Sequence, residues 1–187
     1  AAAATRAVAV WVGGEAQRRG TAWALSDPAV DGAVVTVVAS HGGPEERDAF
    51  RRLVNGAESA QIEQRYLRAL ALFPDRAAVE ALLGEIYDGV IRTQDAPFLV
   101  RSLLAHPHHR ALAWHSTTDR WDDLASRLPS NSIARMLEGV RALVGPEVAP
   151  DVDRFLDDHP VPQGALMVAQ HRERRMVNIH LRERLLD

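Results

Sequence analysis

The sequence contains no cysteine. Disulfides, thiol catalysis and thiolate metal sites are therefore excluded, and the chain suits a reducing compartment, so a cytoplasmic location is expected. It also lacks an excess of either charge: 22 Lys and Arg stand against 25 Asp and Glu, a formal net charge of -3. That balance cannot neutralise a phosphate backbone, so neither nucleic acid nor a membrane surface is expected as a partner. Long hydrophobic runs are missing too. The longest nearly apolar stretch, residues 33–39, is far short of the roughly 20 residues a membrane-spanning helix needs. No charged-then-apolar leader opens the chain. The pairs Gly13-Gly14 and Gly42-Gly43 lack the preceding strand and following glycine spacing of a phosphate loop, and no Gly-x-Ser-x-Gly elbow occurs.

What is present is helical rhythm. The chain has 187 residues, of which 47% are hydrophobic, enough to bury a sizeable core in one domain or one continuous array. Apolar residues recur at spacings of three and four between breaks that come every dozen to two dozen residues. Helices are expected over residues 2–12, from Pro28 after an Asp27 cap, over 45–54, and from Ser59 onward with Ile62, Tyr66, Ala69, Leu70 and Phe73 on one face. The next is capped by Asp75 and ended by Gly89, with Val79, Leu82, Leu83, Ile86 and Tyr87 inward. Further helices are expected over 98–105 behind an Asp95 cap, 108–128, 133–144, 148–158 and 164–186. The valine-rich residues 33–39 could form a strand, but no second strand candidate exists to pair with them, so they are read as a buried helix.

The fold class expected is all-α. About ten antiparallel helices would stack as a superhelical array of the HEAT or armadillo kind, forming a single helical-repeat domain over residues 1–187. No tight repeat accompanies the rhythm. The chain opens with Ala1 to Ala4, which read as helix interior without a cap, and it is expected to be a fragment of a larger protein.

Several phrases, taken in their order and spacing, carry more. They are Gln64-Arg65-Tyr66-Leu67-Arg68-Ala69-Leu70 followed by Phe73; Ile91-Arg92-Thr93-Gln94-Asp95; Ala113-Trp114 with Trp121-Asp122-Asp123-Leu124; Met136 through Val140; and Phe155-Leu156-Asp157-Asp158-His159-Pro160. Together they resemble the C-terminal helical region of the zinc aminopeptidase family that includes aminopeptidase N, puromycin-sensitive aminopeptidase and endoplasmic-reticulum aminopeptidase. The match is thin upstream of Ala33. Arg120 stands where relatives usually have Asn, and Leu181 where a tryptophan would stand.

That resemblance implies a catalytic domain elsewhere, binding zinc through His-Glu-x-x-His and a more distant Glu, with Gly-x-Met-Glu-Asn holding the substrate's amino terminus. Neither motif occurs here, and no histidine is followed by glutamate. No catalytic residue, metal ligand or cofactor is therefore expected in this chain, and zinc would belong to the missing domain. The implied role is to cover the active-site cavity and contact the distal part of the peptide. The implied partners are the catalytic domain of the same polypeptide and the peptide substrate. The alternative is a free-standing helical scaffold that binds a protein partner.

Candidate peptide contacts are Arg92 and Gln94, since arginine suits bidentate carboxylate recognition, and Arg65 and Arg68 on one helix. For each, an ordinary ion pair is the competing fate, with Glu63 or Asp75 available to the last two. The cluster His106, His108, His109 with His115 has metal-like composition. Pro107 interrupts it, and diverging side chains on a solvent-exposed loop are expected. Trp114 and Trp121, seven residues apart, are expected to form a packing stripe along one helix. Arg172, Arg174, Arg175, Arg182 and Arg184 are expected to make a solvated basic face on the last helix, balanced by Glu173 and Glu183.

Overall fold

The structure is a computed structural model of the chain and describes residues 28–186. Those residues are helical, with no strand among them, and hold ten α-helices and three short 3-10 turns. The expected helix over residues 2–12 and the Asp27 cap lie outside the described residues. Two compact units are formed, Ala1–Ala78 and Val79–Asp187.

In the first unit, α1 (Pro28–His41), α2 (Pro44–Asn55) and α3 (Ala60–Ala69) are followed by a 3-10 turn, Leu70–Leu72. The valine-rich stretch is helical. Val34, Val35, Val38 and Ala39 bury one side of α1, while the Thr36 and Ser40 hydroxyls donate to the carbonyls of Gly32 and Thr36 at 2.9 and 2.8 Å. Those back-bonds satisfy the polar side chains within the helix itself. Gly42 follows the end of α1 at a place only glycine fits: a Cβ there would lie 2.7 Å from the Val38 carbonyl oxygen and 3.0 Å from the Phe73 ring. Ser59 caps α3, its Oγ accepting the Ile62 amide at 3.3 Å. Phe50 of α2 sits at the centre, fully buried and edge-on to Tyr66 and Phe73 at 5.0 and 5.4 Å, the arrangement aromatic quadrupoles prefer.

The next helix, α4 (Arg76–Tyr87), begins in the first unit, where the Asp75 carboxylate caps it by accepting the Ala78 amide at 2.9 Å. Its later turns belong to the second unit and bury Val79, Leu82, Leu83 and Ile86. Gly89 closes it at φ +76°, a left-handed conformation that costs other residues a Cβ clash.

The second unit continues with α5 (Ala96–Leu104), α6 (Arg110–Asp119), α7 (Trp121–Arg127), α8 (Ser130–Met136), a 3-10 turn Leu137–Ala142, α9 (Ala149–Asp158), a 3-10 turn Pro162–Gly164 and α10 (Ala165–Leu186). Helix α5 lies innermost, burying Leu99, Val100, Leu103 and Leu104 against α6, α8 and the Leu137–Ala142 turn. Two expectations are corrected. The segment 108–128 is not one helix, because the backbone turns at Arg120 (φ -113°, ψ 21°), which ends α6 and starts α7. The helix expected over 133–144 tightens to 3-10 geometry after Met136. There Gly139 lets the turn approach α5 so closely that a Cβ would fall 2.6 Å from both the Arg101 carbonyl oxygen and the Leu104 Cβ.

Candidate functional site

The first candidate region is the turn between α4 and α5. The buried Asp95 occupies the cap position of α5, yet its carboxylate makes no cap bond. It accepts instead from Arg92 Nε at 2.8 Å, with the Arg92 side chain half exposed. The expected cap role for Asp95 is thus replaced by that of an anchor for Arg92, which fixes the direction of the guanidinium. Gln94 is exposed on the same turn. Arg65 and Arg68 lie on α3 in the other unit, half-buried and exposed respectively.

The second region is aromatic. Trp114 of α6 and Trp121 of α7 do not run as a stripe along one helix; they converge edge-on upon Phe155 of α9, at 5.2 and 5.1 Å. Phe155 in turn stacks on His159 at 4.1 Å, and His159 Nδ1 lies 2.9 Å from the Phe155 carbonyl oxygen. Trp114 and Phe155 line a cleft of ≈ 210 Å³ whose rim carries His115, Asp151, Arg154 and Asp158. Arg154 is engaged by Asp151. A space this small admits one side chain and falls below the ~300 Å³ at which ligand pockets usually begin.

The histidine cluster differs from expectation. His106 is buried, at 1% exposure, and its Nδ1 accepts the amides of His108 and His109 at 3.2 and 3.1 Å. It does the work of a capping Asp or Asn ahead of α6. The rings do not diverge: His106 stacks on His109 at 5.1 Å and meets His108 at 6.0 Å. Proximity does not make a metal site, because the Nδ1 lone pair already points at two amides. Among the described residues, no three His, Asp or Glu side chains are grouped so as to hold a metal ion. The donor set present does not fit a zinc site.

The third region was missed by sequence reasoning. Arg175, expected in a solvated basic face, is fully buried. Its Nε donates to the Leu143 carbonyl at 2.9 Å, Nη1 to Asp153 at 2.8 Å, and Nη2 to the Ala149 carbonyl. Arg172 is likewise turned onto α9, pairing with Asp153 at 3.2 Å and with Asp157. These acidic partners hold its pKa above the usual guanidinium value, Asp157 most, against the opposing effect of burial. Arg174 and Arg184 remain exposed. His171, 3% exposed, accepts from Arg141 Nε at 3.1 Å through Nδ1, and its Nε2 lies 3.1 Å from the Ala134 carbonyl oxygen. The only sequence signal was spacing: 171, 175 and 178 share one face of α10.

Residues 1–175 match the family described as the ERAP1-like C-terminal domain. The chain belongs to that family. It is also 28% identical over 96 residues to Aminopeptidase 2, mitochondrial, of Saccharomyces cerevisiae, which covers 51% of this chain and 10% of that protein. With the Alanine/arginine aminopeptidase of the same yeast it shares 28% identity over 106 residues, 56% of this chain and 12% of the relative. The matched part thus spans about a tenth of these relatives' length.

Within the family domain, the phrases that carry the resemblance turn out to be packing devices. Tyr66 and Phe73 enclose Phe50; Trp114, Trp121, Phe155 and His159 form the aromatic cluster; Arg92 and Asp95 lock a turn; and Gly139 lies within the Met136–Val140 phrase, where a turn presses onto α5. No described helix is long and apolar enough to cross a membrane.

Proposed function

We propose that this chain is the noncatalytic C-terminal portion of a zinc-dependent aminopeptidase, covering the active-site cavity and contacting the distal part of the peptide substrate. The observation that carries the reading is the family match over residues 1–175, joined to relatives of which the matched part is about a tenth. The absence of His-Glu-x-x-His from the sequence supports the noncatalytic part, because two histidines one helical turn apart are needed to reach one ion, with a carboxylate beside them. Zinc is proposed for the catalytic domain of the same polypeptide, and a reducing, cytoplasmic setting is proposed from the lack of cysteine.

Arg92 is the preferred peptide contact. Asp95 holds one edge of its guanidinium and the side chain stays half exposed, which favours directed recognition of a carboxylate or peptide carbonyl. Gln94, Arg68 and Arg65 are proposed as further contacts.

Two measurements test the reading. Purified chain assayed with aminoacyl fluorogenic substrates and added zinc is expected to show no turnover, and zinc-dependent turnover would refute the noncatalytic assignment. In the parent polypeptide, Arg92→Ala is expected to raise KM several-fold for long peptides and leave single aminoacyl substrates unchanged. Equal kinetics on both would remove Arg92 from the peptide path.

A second reading, a free-standing scaffold for a protein partner, is favoured by the outward apolar side chains of α10: Leu166, Val177, Leu181 and Leu185 are each at least half exposed. Coding sequence upstream that carries the zinc and amino-terminus motifs would dismiss it.

A further inference from the structure

Helix α10 is attached to its unit in an unusual way. Most of its larger apolar side chains face outward, Leu166, Val177, Leu181 and Leu185 among them, and of its described side chains only His171 and Arg175 are buried. The docking surface is a polar seam. Asn178 Nδ2 donates to the Arg141 carbonyl at 2.9 Å, Arg175 reaches Leu143, Ala149 and Asp153, and His171 lies between Arg141 and the Ala134 carbonyl.

His171 can fill that place in one form alone. Arg141 Nε–H is a donor, so Nδ1 must present a lone pair, and the Ala134 oxygen is an acceptor, so Nε2 must carry the proton. This is the neutral Nε2–H tautomer. A second proton would go to Nδ1 and set two donors 3.1 Å apart.

The surrounding charges offer no net compensation. From the Leu137–Ala142 turn, Arg141 and Glu138 face the ring. Glu138 is shared by Arg141 at 3.3 Å and by Arg101 of α5 at 2.9 Å, leaving this group one positive charge in excess before His171 is protonated. The Pro162–Gly164 turn brings no titratable group, and Arg135 of α8 is exposed. On α9, Asp153 and Asp157 are already matched to Arg172 and Arg175. On α10 itself, Glu173 and Arg174 are exposed.

We propose that α10 is a proton-sensitive element: protonation of His171 releases it from the rest of its unit. This goes beyond the aminopeptidase assignment and does not depend on it. Burial and then Arg141 hold the imidazole below its ordinary value of 6.5, outweighing the Ala134 carbonyl and Glu138, which act the other way. With the docked value below the free one, the full docking contribution of neutral His171 is present above pH 6.5. It is lost as pH falls beneath that point and levels off below the docked value.

The test is backbone amide hydrogen exchange on the full chain, corrected for intrinsic rates, between pH 7.5 and 5. Opening of residues 165–178 is expected to rise by up to about tenfold per pH unit. Amides of α5 and α6 should keep their protection. His171→Gln, whose amide can accept from Arg141 and donate to Ala134, is expected to stay docked across the range, whereas His171→Lys is expected to be open throughout. Unchanged α10 protection in the wild type, retained pH dependence in the His171→Gln variant, or simultaneous opening of α5 and α6 would each overturn the proposal. The glutamine variant decides the matter even if the lysine variant does not fold.

Discussion

Buried Arg175 shows how a single charged side chain can belong to a core. A guanidinium has five N–H donors and cannot shed its proton, so it is tolerated in the interior only where acceptors are arranged around it. Two carbonyls and Asp153 supply them here. Arg175→Met keeps much of the volume and removes the charge, leaving the Leu143 and Ala149 carbonyls and Asp153 without this donor. Since Asp153 retains Arg172, the loss is expected to be moderate, on the order of 2 kcal/mol, read as a lower denaturant midpoint with unchanged slope. His106 illustrates the same economy with a neutral group, since one ring nitrogen accepts two amides at the start of a helix. His106→Asn, which offers an oxygen at similar reach, is expected to retain more stability than His106→Ala, whose loss should be about 1 kcal/mol from the missing cap. Thermal melting of the two variants side by side checks this.

At the scale of elements, the closest approach is that of the Leu137–Ala142 turn to α5, which glycine at 139 permits. The contact would be made with backbone and a Cβ, neither of which can swing aside. Gly139→Ala is therefore expected to force the two elements apart at a cost of about 1–3 kcal/mol, measurable by urea unfolding. Gly84→Ala, inside α4 where a Cβ meets nothing within 4 Å, is the opposite case and is expected to gain about 0.5–1 kcal/mol from helix propensity. Proline, glycine and capping residues marked most helix ends in the sequence: Ser59 and Asp75 cap as expected, and Gly89 stops α4. The corner at Arg120 was not readable, because neither Gly nor Pro stands there and the apolar spacing continues across it. It is created by tertiary packing that brings Trp121 onto Phe155, a residue 34 positions further on. The inward face of α10 was equally hidden. Helical periodicity is read from apolar residues, and a helix whose buried groups are His171 and Arg175 presents its pattern reversed.

For the whole molecule, family membership was legible because the family's phrases are packing phrases, repeated wherever the same side chains must meet. Function was less legible for the same reason: the residues that identify the chain are largely spent on its cores, and in the turn over residues 91–95 the side chains that reach solvent are Arg92, Thr93 and Gln94. The separation of identity from chemistry has a measurable counterpart. The purified chain, equilibrated with zinc and desalted, is expected to retain substoichiometric metal by elemental analysis, since His106 spends a ring nitrogen on amides and no other described group of donors is placed for an ion. One bound zinc per chain would contradict that geometry.

The polar seam beneath α10 also governs how that helix can sit. Greasy contacts slide and still adhere, but bonds from Arg175, His171 and Asn178 are directional, so they specify a single rotation about the axis. One residue inserted ahead of position 171 would swing everything beyond it by about 100°. No neighbouring rotational setting would then restore even a partial fit.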